Sequence, residues 1–265
     1  MWTAIRSVLV VVGIVVVAVG APARVSTAAM NQPQGVAIAS VLPAPRALVG
    51  VAHPVVVTFR SPVLNRRAAE HAIAVQATPK MTGKYEWLDN RAVQWVPDRF
   101  WPAHSTVALS VGKLSADFKT GPAVVGVANI SARTFTVTVD GIEAGPLPAP
   151  HHRPHWGEDG VLPATMGKAE FPTPAGHYRV MAKDRSVVMD SSSVGIPVDN
   201  PEGYRLTADY AVRISGRGLY VHSAPWALRF MGIDNVSHGC IGLSPTDAEW
   251  YFDRVNIGDP VIVEE

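Results

Sequence analysis

The chain has 265 residues, with 23 Lys and Arg against 22 Asp and Glu, and 48% of it is hydrophobic. A net charge of +1 without a long basic stripe excludes nucleic acid as the main partner. The apolar content is enough for two modest packed cores, and a single cysteine excludes an internal disulfide, so stability must come from packing.

Arg6 precedes an apolar run from Val8 to Val19, and small residues follow, with Ala21-Pro22-Ala23 and Ser26-Thr27-Ala28 as candidate cleavage points. Residues 1–29 therefore read as a secretory signal peptide or, if uncleaved, an N-terminal membrane anchor. The run is shorter than the roughly twenty residues of a full span, which favours cleavage. It carries no cysteine, so the chain is no lipoprotein. Residues 30–45, rich in Ala, Pro, Gln and Gly, read as a linker.

Between 46 and 132, apolar residues alternate in short runs: Val55, Val57 and Phe59, then Ile73 and Val75, Tyr85 and Trp87, Val93 and Trp95, and Val107, Leu109 and Val111. Turn residues separate the runs, the pattern of a β-sandwich. Asn65 to His71 adds a short helical turn. Trp87, Trp95, Phe100 and Trp101 are expected in the core rather than as a sugar-binding platform, because sandwich cores use tryptophan routinely.

The second domain, 133–265, opens with alternating Phe135, Val137 and Val139 before Asp140-Gly141, a hairpin signal. Residues 144–160 then form a Pro-, His- and Gly-rich segment holding His151, His152 and His155. Three imidazoles invite a metal reading, but the spacing fits no common zinc motif and Pro154 breaks any helix that would align them. A solvated loop without metal or other cofactor is the expectation. Phe171 to Gly176 is a turn cluster before a strand at Tyr178 to Met181, and Val187 to Met189 lead into a long Ser-, Gly-, Pro- and Asn-rich stretch, Asp190 to Arg205. A loop of that length in a compact domain tends to be a lid or a binding loop. Strand-like Tyr210 to Ile214 follows. Near the end, Ser244 reads as the N-cap of a helix with Ala248, Tyr251 and Phe252 on one face, and Val261 to Val263 as a closing strand.

The chemistry concentrates between Tyr220 and Ser244, where Cys240 follows Ser237-His238-Gly239 and His222 lies upstream. A lone cysteine in an exported chain is either a reactive thiol or half of an intermolecular bridge; the neighbours favour the thiol. Gly239 lets the backbone bend before the sulfur, and such a bend can aim amide N–H groups at a developing oxyanion. A free thiol is mostly protonated at neutral pH, so an imidazole that takes its proton activates it, and His222, ending the strand-like Leu219 to Val221, is the candidate base.

This arrangement resembles the L,D-transpeptidases, bacterial cell-wall enzymes whose signature is a histidine, a spacer, then Ser/Thr-His-Gly-Cys, an apolar residue and Asn. Here the spacer is residues 223–236 and the pattern continues Ser237-His238-Gly239-Cys240-Ile241, but the last position is Gly242. V-G-V-A-H-P-V-V-V-T-F and W-V-P-D-R-F-W-P resemble the Ig-like domain that precedes the catalytic domain in mycobacterial members. The resemblance implies a mainly β chain, an Ig-like sandwich followed by a YkuD-type β-sandwich catalytic domain with a short helix, and 144–160 as an insertion.

It further implies 3→3 cross-linking of peptidoglycan tetrapeptide stems through a thioester on Cys240, with His222 as base and Ser223 orienting it by its backbone carbonyl. Amides of Gly239 and Cys240 would hold the oxyanion. Substrate-facing positions would be Tyr204 on the lid, Met189, Ser237, His238 and Trp226, while Val194 stands where some relatives carry tyrosine. On physics alone, Tyr204 packs the lid equally well, His238 packs beneath the turn, Ser237 caps a strand end, and Trp226 reads as cavity wall or core. Implied partners are donor and acceptor stems, and carbapenem-type β-lactams as covalent inhibitors; the implied location is the periplasm or cell wall. Hydrolysis of the same thioester would make an L,D-carboxypeptidase, and a decayed site would leave a wall-binding module. Gly242 lacks the Asn amide and is expected to loosen the loop and slow the enzyme.

Overall fold

The computed structural model describes residues 37–140 and 161–265. The leader, the first part of the linker and the histidine-bearing 144–160 lie outside the described residues. Among the described residues, no helix is long and apolar enough to cross a membrane.

The chain is mainly β. Its first domain is a sandwich of two four-stranded sheets built from β1 (Ile38–Leu42), β2 (Leu48–Val49), β3 (Val55–Phe59), α1 (Arg66–Ile73), β4 (Gln76–Thr78), β5 (Gly83–Trp87), β6 (Ala92–Pro97), β7 (Thr106–Val111) and β8 (Leu114–Thr120). One sheet runs β1-β3-β6-β5 and the other β2-β8-β7-β4. Val55, Val57 and Phe59 point inward and meet Val107, Leu109, Val111 and Phe118 from the facing sheet, as strand periodicity requires. Trp95 and Trp101 are buried and their rings approach to 5.9 Å, with Phe118 edge-on to Trp101 at 5.4 Å. Trp87 is half-buried against Phe59, whereas Phe100 is exposed and lies outside this core. The short helix is α1, whose first turn is capped by Asn65 Oδ1 accepting from the Ala68 amide at 3.0 Å.

Two expected limits shift. The stretch read as a linker to residue 45 contains β1, hydrogen-bonded along β3, with Ile38 and Val41 packed on the core. Its Ala- and Pro-rich flanks hide a half-exposed edge strand. The boundary expected at 132/133 cuts a hairpin: β9 (Val124–Asn129) pairs with β10 (Thr134–Val139) from Asn129↔Thr134 to Val124↔Val139. The turn between them has neither Gly nor Pro. It is closed instead by Asn129 Oδ1 accepting from the Ala132 amide at 2.7 Å, with Arg133 in the left-handed region at φ 58°.

The second domain continues with β11 (Val161–Thr165), β12 (Gly176–Arg179), β13 (Ala182–Asp190), β14 (Arg205–Arg213), β15 (Tyr220–Ser223), β16 (Ile241–Leu243), α2 (Pro245–Arg254) and β17 (Pro260–Glu264). Among the described residues, nine strands form one sheet in the order β12-β17-β9-β10-β11-β16-β15-β14-β13. The β15–β16 and β17–β9 pairs are parallel. Ser244 caps α2, its hydroxyl accepting from the Asp247 amide at 3.1 Å, and Ala248, Tyr251 and Phe252 are buried on the sheet. Tyr251 meets Phe135 edge-on at 5.0 Å.

The two domains are joined by backbone. The Gly50 amide donates to Ile257 O and the Ala52 amide to Gly258 O, both at 2.8 Å. The buried Asp259 carboxylate accepts from Val51 N at 3.1 Å and from Asn256 N at 2.7 Å. A Cβ on Gly50 would stand 2.1 Å from Asp259 N, so only glycine permits this approach. Burial raises the Asp259 pKa to about 7, against the hydrogen bonds from Asn256 and Val51 and the nearby Lys183.

A raised folded-state pKa means that the native chain holds this proton longer than the unfolded chain. Its stabilising contribution is therefore present below the ordinary carboxylate range and is lost as pH rises toward about 7. The melting temperature of the wild type should fall relative to that of Asp259→Asn between pH 5 and 8, read by thermal scans across that range. A constant difference between the two proteins would contradict it.

Candidate active site

Two short strands assemble the site. The parallel register places Val221 beside Ile241, His222 beside Gly242 and Ser223 beside Leu243, so Cys240 stands one residue before β16 on the neighbouring strand to the histidine. Val221, Ile241 and Leu243 are buried, which fixes this register, because a one-residue slip would turn them out of the core.

His222 is buried, and its Nδ1 lies 2.8 Å from the Ser223 carbonyl. A carbonyl only accepts, so Nδ1 carries the hydrogen and Nε2 keeps its lone pair. Burial lowers the imidazole pKa, partly offset by that hydrogen bond, and the ring is neutral at pH 7. Cys240 is half-buried; its Sγ faces the Gly218 carbonyl at 3.7 Å. Burial pushes the thiol up to about 11, and a hydrogen bond from the Tyr220 backbone opposes this. The resting pair is thus a neutral thiol and a neutral imidazole.

The turn before the sulfur is bolted from both sides. Gly239 has φ 121°, a conformation that side chains rarely adopt. The Ser237 hydroxyl donates to Cys240 O at 2.6 Å and accepts from Gly239 N at 3.1 Å. The buried Thr173 hydroxyl donates to Gly239 O at 2.7 Å and accepts from Gly167 N at 2.8 Å. The expected role of the Gly239 amide as an oxyanion donor is therefore corrected: in this arrangement Ser237 takes it. Thr173 and the Tyr220 amide were not marked by the sequence, because neither belongs to the motif; the only signal was the turn cluster at Phe171 to Gly176.

Met189, Tyr204, His222, Trp226, Ser237, His238 and Cys240 line one cleft of about 220 Å³, while Gly239 lines the neighbouring groove and Ser223 acts on His222 through its carbonyl. Trp226 is half-exposed, with its ring 5.9 Å from that of His222, which makes it cavity wall rather than core. On the other side of Cys240 a groove of about 730 Å³ runs past Tyr178, Val194 and Arg217. The segment from Asp190 to Arg205 begins with a 3-10 turn, Ser191–Val194, and is closed at its base by Ser191 N donating to Tyr204 O and Tyr204 N donating to Ser191 Oγ, each at 3.0 Å. The His238 ring is packed between Phe171 and Tyr204, at 4.8 and 5.0 Å, rather than beneath the turn.

Gly242 departs from expectation. It lies inside a ladder, paired with His222 on one side and Thr165 on the other, not in a loosened loop. A Cβ there would meet Ala224 Cβ and Thr165 Cγ2, each at 3.0 Å, so those two methyl groups fill the space that a larger residue would need.

These features define a cysteine–histidine site in the loops of a mainly β domain behind an Ig-like sandwich. Residues 123–263 match the L,D-transpeptidase catalytic domain and residues 17–115 the bacterial Ig domain. The chain belongs to the L,D-transpeptidase family. It is 67% identical to "Probable L,D-transpeptidase 3" of Mycobacterium tuberculosis over 97% of both chains, and 46% identical to that organism's "L,D-transpeptidase 1" over 98% of both. The crystal structure of the M. tuberculosis L,D-transpeptidase 3 with a faropenem-derived adduct superposes with a TM-score of 0.81 at 70% identity, covering 87% of this chain and 99% of that one. An LD-transpeptidase structure with imipenem gives 0.76 at 49% identity, covering 86% and 98%.

Gly242→Ala should lower stability by roughly 1–3 kcal/mol through overpacking. Adding Thr165→Ser, which removes the opposing methyl while keeping the hydroxyl that donates to Asp234 O at 2.9 Å, should recover part of the loss. Urea unfolding of the single and double variants measures this; equal losses would show that the contact is not the cause.

Proposed function

We propose that this chain forms 3→3 cross-links in peptidoglycan by acyl transfer through Cys240. The observation that carries the reading is a thiol and an imidazole lining one cleft, with the imidazole's Nε2 left bare because Nδ1 meets the Ser223 carbonyl. With both groups neutral at rest, proton transfer belongs to the attack itself: Sγ bonds to the carbonyl carbon between the third stem residue and the terminal D-alanine as Nε2 takes its proton. The C–N bond breaks, the D-alanine amine leaves with that proton, and a thioester remains. The side-chain amine of a second stem then attacks the thioester, its proton passes to Nε2, and sulfur leaves and is reprotonated.

A hydrogen bond from the Tyr220 backbone lowers the thiol against the effect of burial and so supports the thiolate character that develops in both steps. Tyr204, with a phenol held above its ordinary pKa by burial and by the proximity of Cys240 and Asp190, stays protonated and able to donate to the substrate. Peptidoglycan lies outside the cytoplasmic membrane, which fits the export signal read at residues 1–29, cleaved or retained as an anchor. The backbone joint at Gly50 and Asp259 suits the Ig-like domain to a spacer role. β-Lactams that acylate sulfur would stop the cycle at its first step.

On incubation with imipenem, the wild type should gain the mass of one drug molecule and Cys240→Ala none, by intact-mass spectrometry. His222→Gln should slow adduct formation by roughly 10²–10⁴-fold, the range for loss of a general base. No adduct on a folded wild type would sink the reading. With adduct formation established, stem-peptide products distinguish cross-linking from hydrolysis.

A further inference from the structure

Glu202 lies two residues before Tyr204, which lines the cleft. Its Oε2 accepts from Lys168 Nζ at 2.5 Å and lies 3.0 Å from His238 Nε2. Each partner sits on a different wall. Lys168 follows β11, and its amide donates to Ser237 O at 3.0 Å; His238 stands two residues before the nucleophile. One carboxylate thus ties the lid to both backbones that frame the Cys240 turn. The Lys168 ammonium also lies 5.5 Å from the Phe171 ring centroid, and that ring packs on His238.

The segment that carries Glu202 is compact enough to transmit this hold. Asn200 Oδ1 accepts from Glu202 N at 2.9 Å and Asn200 O from Gly203 N at 2.7 Å. A Cβ on Gly203 would stand 2.3 Å from Pro197 O and 2.4 Å from Val198 O, so the chain here folds tightly on itself next to Tyr204. The hydrogen bonds from Lys168 and then from His238 hold the carboxyl below its ordinary range, in its acceptor form.

We propose that Glu202 is a positioning residue that latches the lid. Through Lys168 and His238 it holds Tyr204 over the cleft and the His238 ring against it, and so sets how firmly an acylating substrate is captured before Cys240 reacts. This rests on the transpeptidase reading. The latch lies on the lid and touches neither Sγ nor the His222 imidazole, so its loss changes capture rather than chemistry.

The test is Glu202→Gln, which keeps the shape and removes the charge, with imipenem as the acylating probe. The half-saturating concentration for acylation should rise roughly fivefold, the scale of an exposed ion pair, while the saturating rate changes by less than about twofold. Raising ionic strength should weaken capture in the wild type and leave the variant unchanged, and Glu202→Asp should lie nearer the wild type. Amide hydrogen exchange across 191–204 should be faster in Glu202→Gln. Equal capture and equal exchange in two proteins that both acylate would overturn the latch. No adduct on the wild type would instead overturn the transpeptidase reading, and amide exchange would still decide the latch.

Discussion

Two short strands running the same way carry the rest of the structure. Tyr220–Ser223 and Ile241–Leu243 pair in parallel, and this one register sets His222 against Gly242 with the sulfur just outside the ladder. The register is held by side chains that have no part in the chemistry: Val221, Ile241 and Leu243 are buried in the same core as Phe135 and Tyr251. The flanking β11 contributes Thr165, whose methyl group closes on Gly242. The nucleophile and its base are therefore placed by packing and backbone hydrogen bonds, before any contact between the two.

Burial has a second effect. It favours the uncharged form of both groups, lowering the imidazole and raising the thiol, so the site stores no ion pair. What it stores is orientation. The Ser223 carbonyl fixes which ring nitrogen carries hydrogen, and Ser237 and Thr173 fix the turn at Gly239. Such preorganisation aims fixed groups at the place where charge develops, in a cleft walled by Trp226, Tyr204 and Met189.

Much of the site was legible because its chemistry is local in the chain. Ser237 through Cys240 form one turn, and the resemblance to the L,D-transpeptidases tied it to His222 across residues 223–236. Contacts made across the fold left no such trace. Thr173 reaches Gly239 from 66 positions away and Glu202 reaches His238 from 36. Gly242 was misjudged for the same reason: a missing amide is visible in sequence, but the methyl groups of Thr165 and Ala224 that occupy its surroundings are not. In the fold, alternation identified β3, β5, β6 and β7, but the run read at Ile73 and Val75 is the end of α1 and the link to β4. It missed β1, a half-exposed edge, together with β2 and β8, and misplaced β9, whose hairpin turn uses Asn129 and a left-handed Arg133 in place of the usual Gly or Pro.

The fold presents His222 as a neutral base with Nε2 free. Nitrogen-15 NMR of the imidazole at neutral pH, assigned by loss of the signal in a His222 variant, reads this directly. The account predicts a protonated Nδ1 and a bare Nε2. A proton on Nε2, or an imidazolium with both nitrogens protonated, would contradict it.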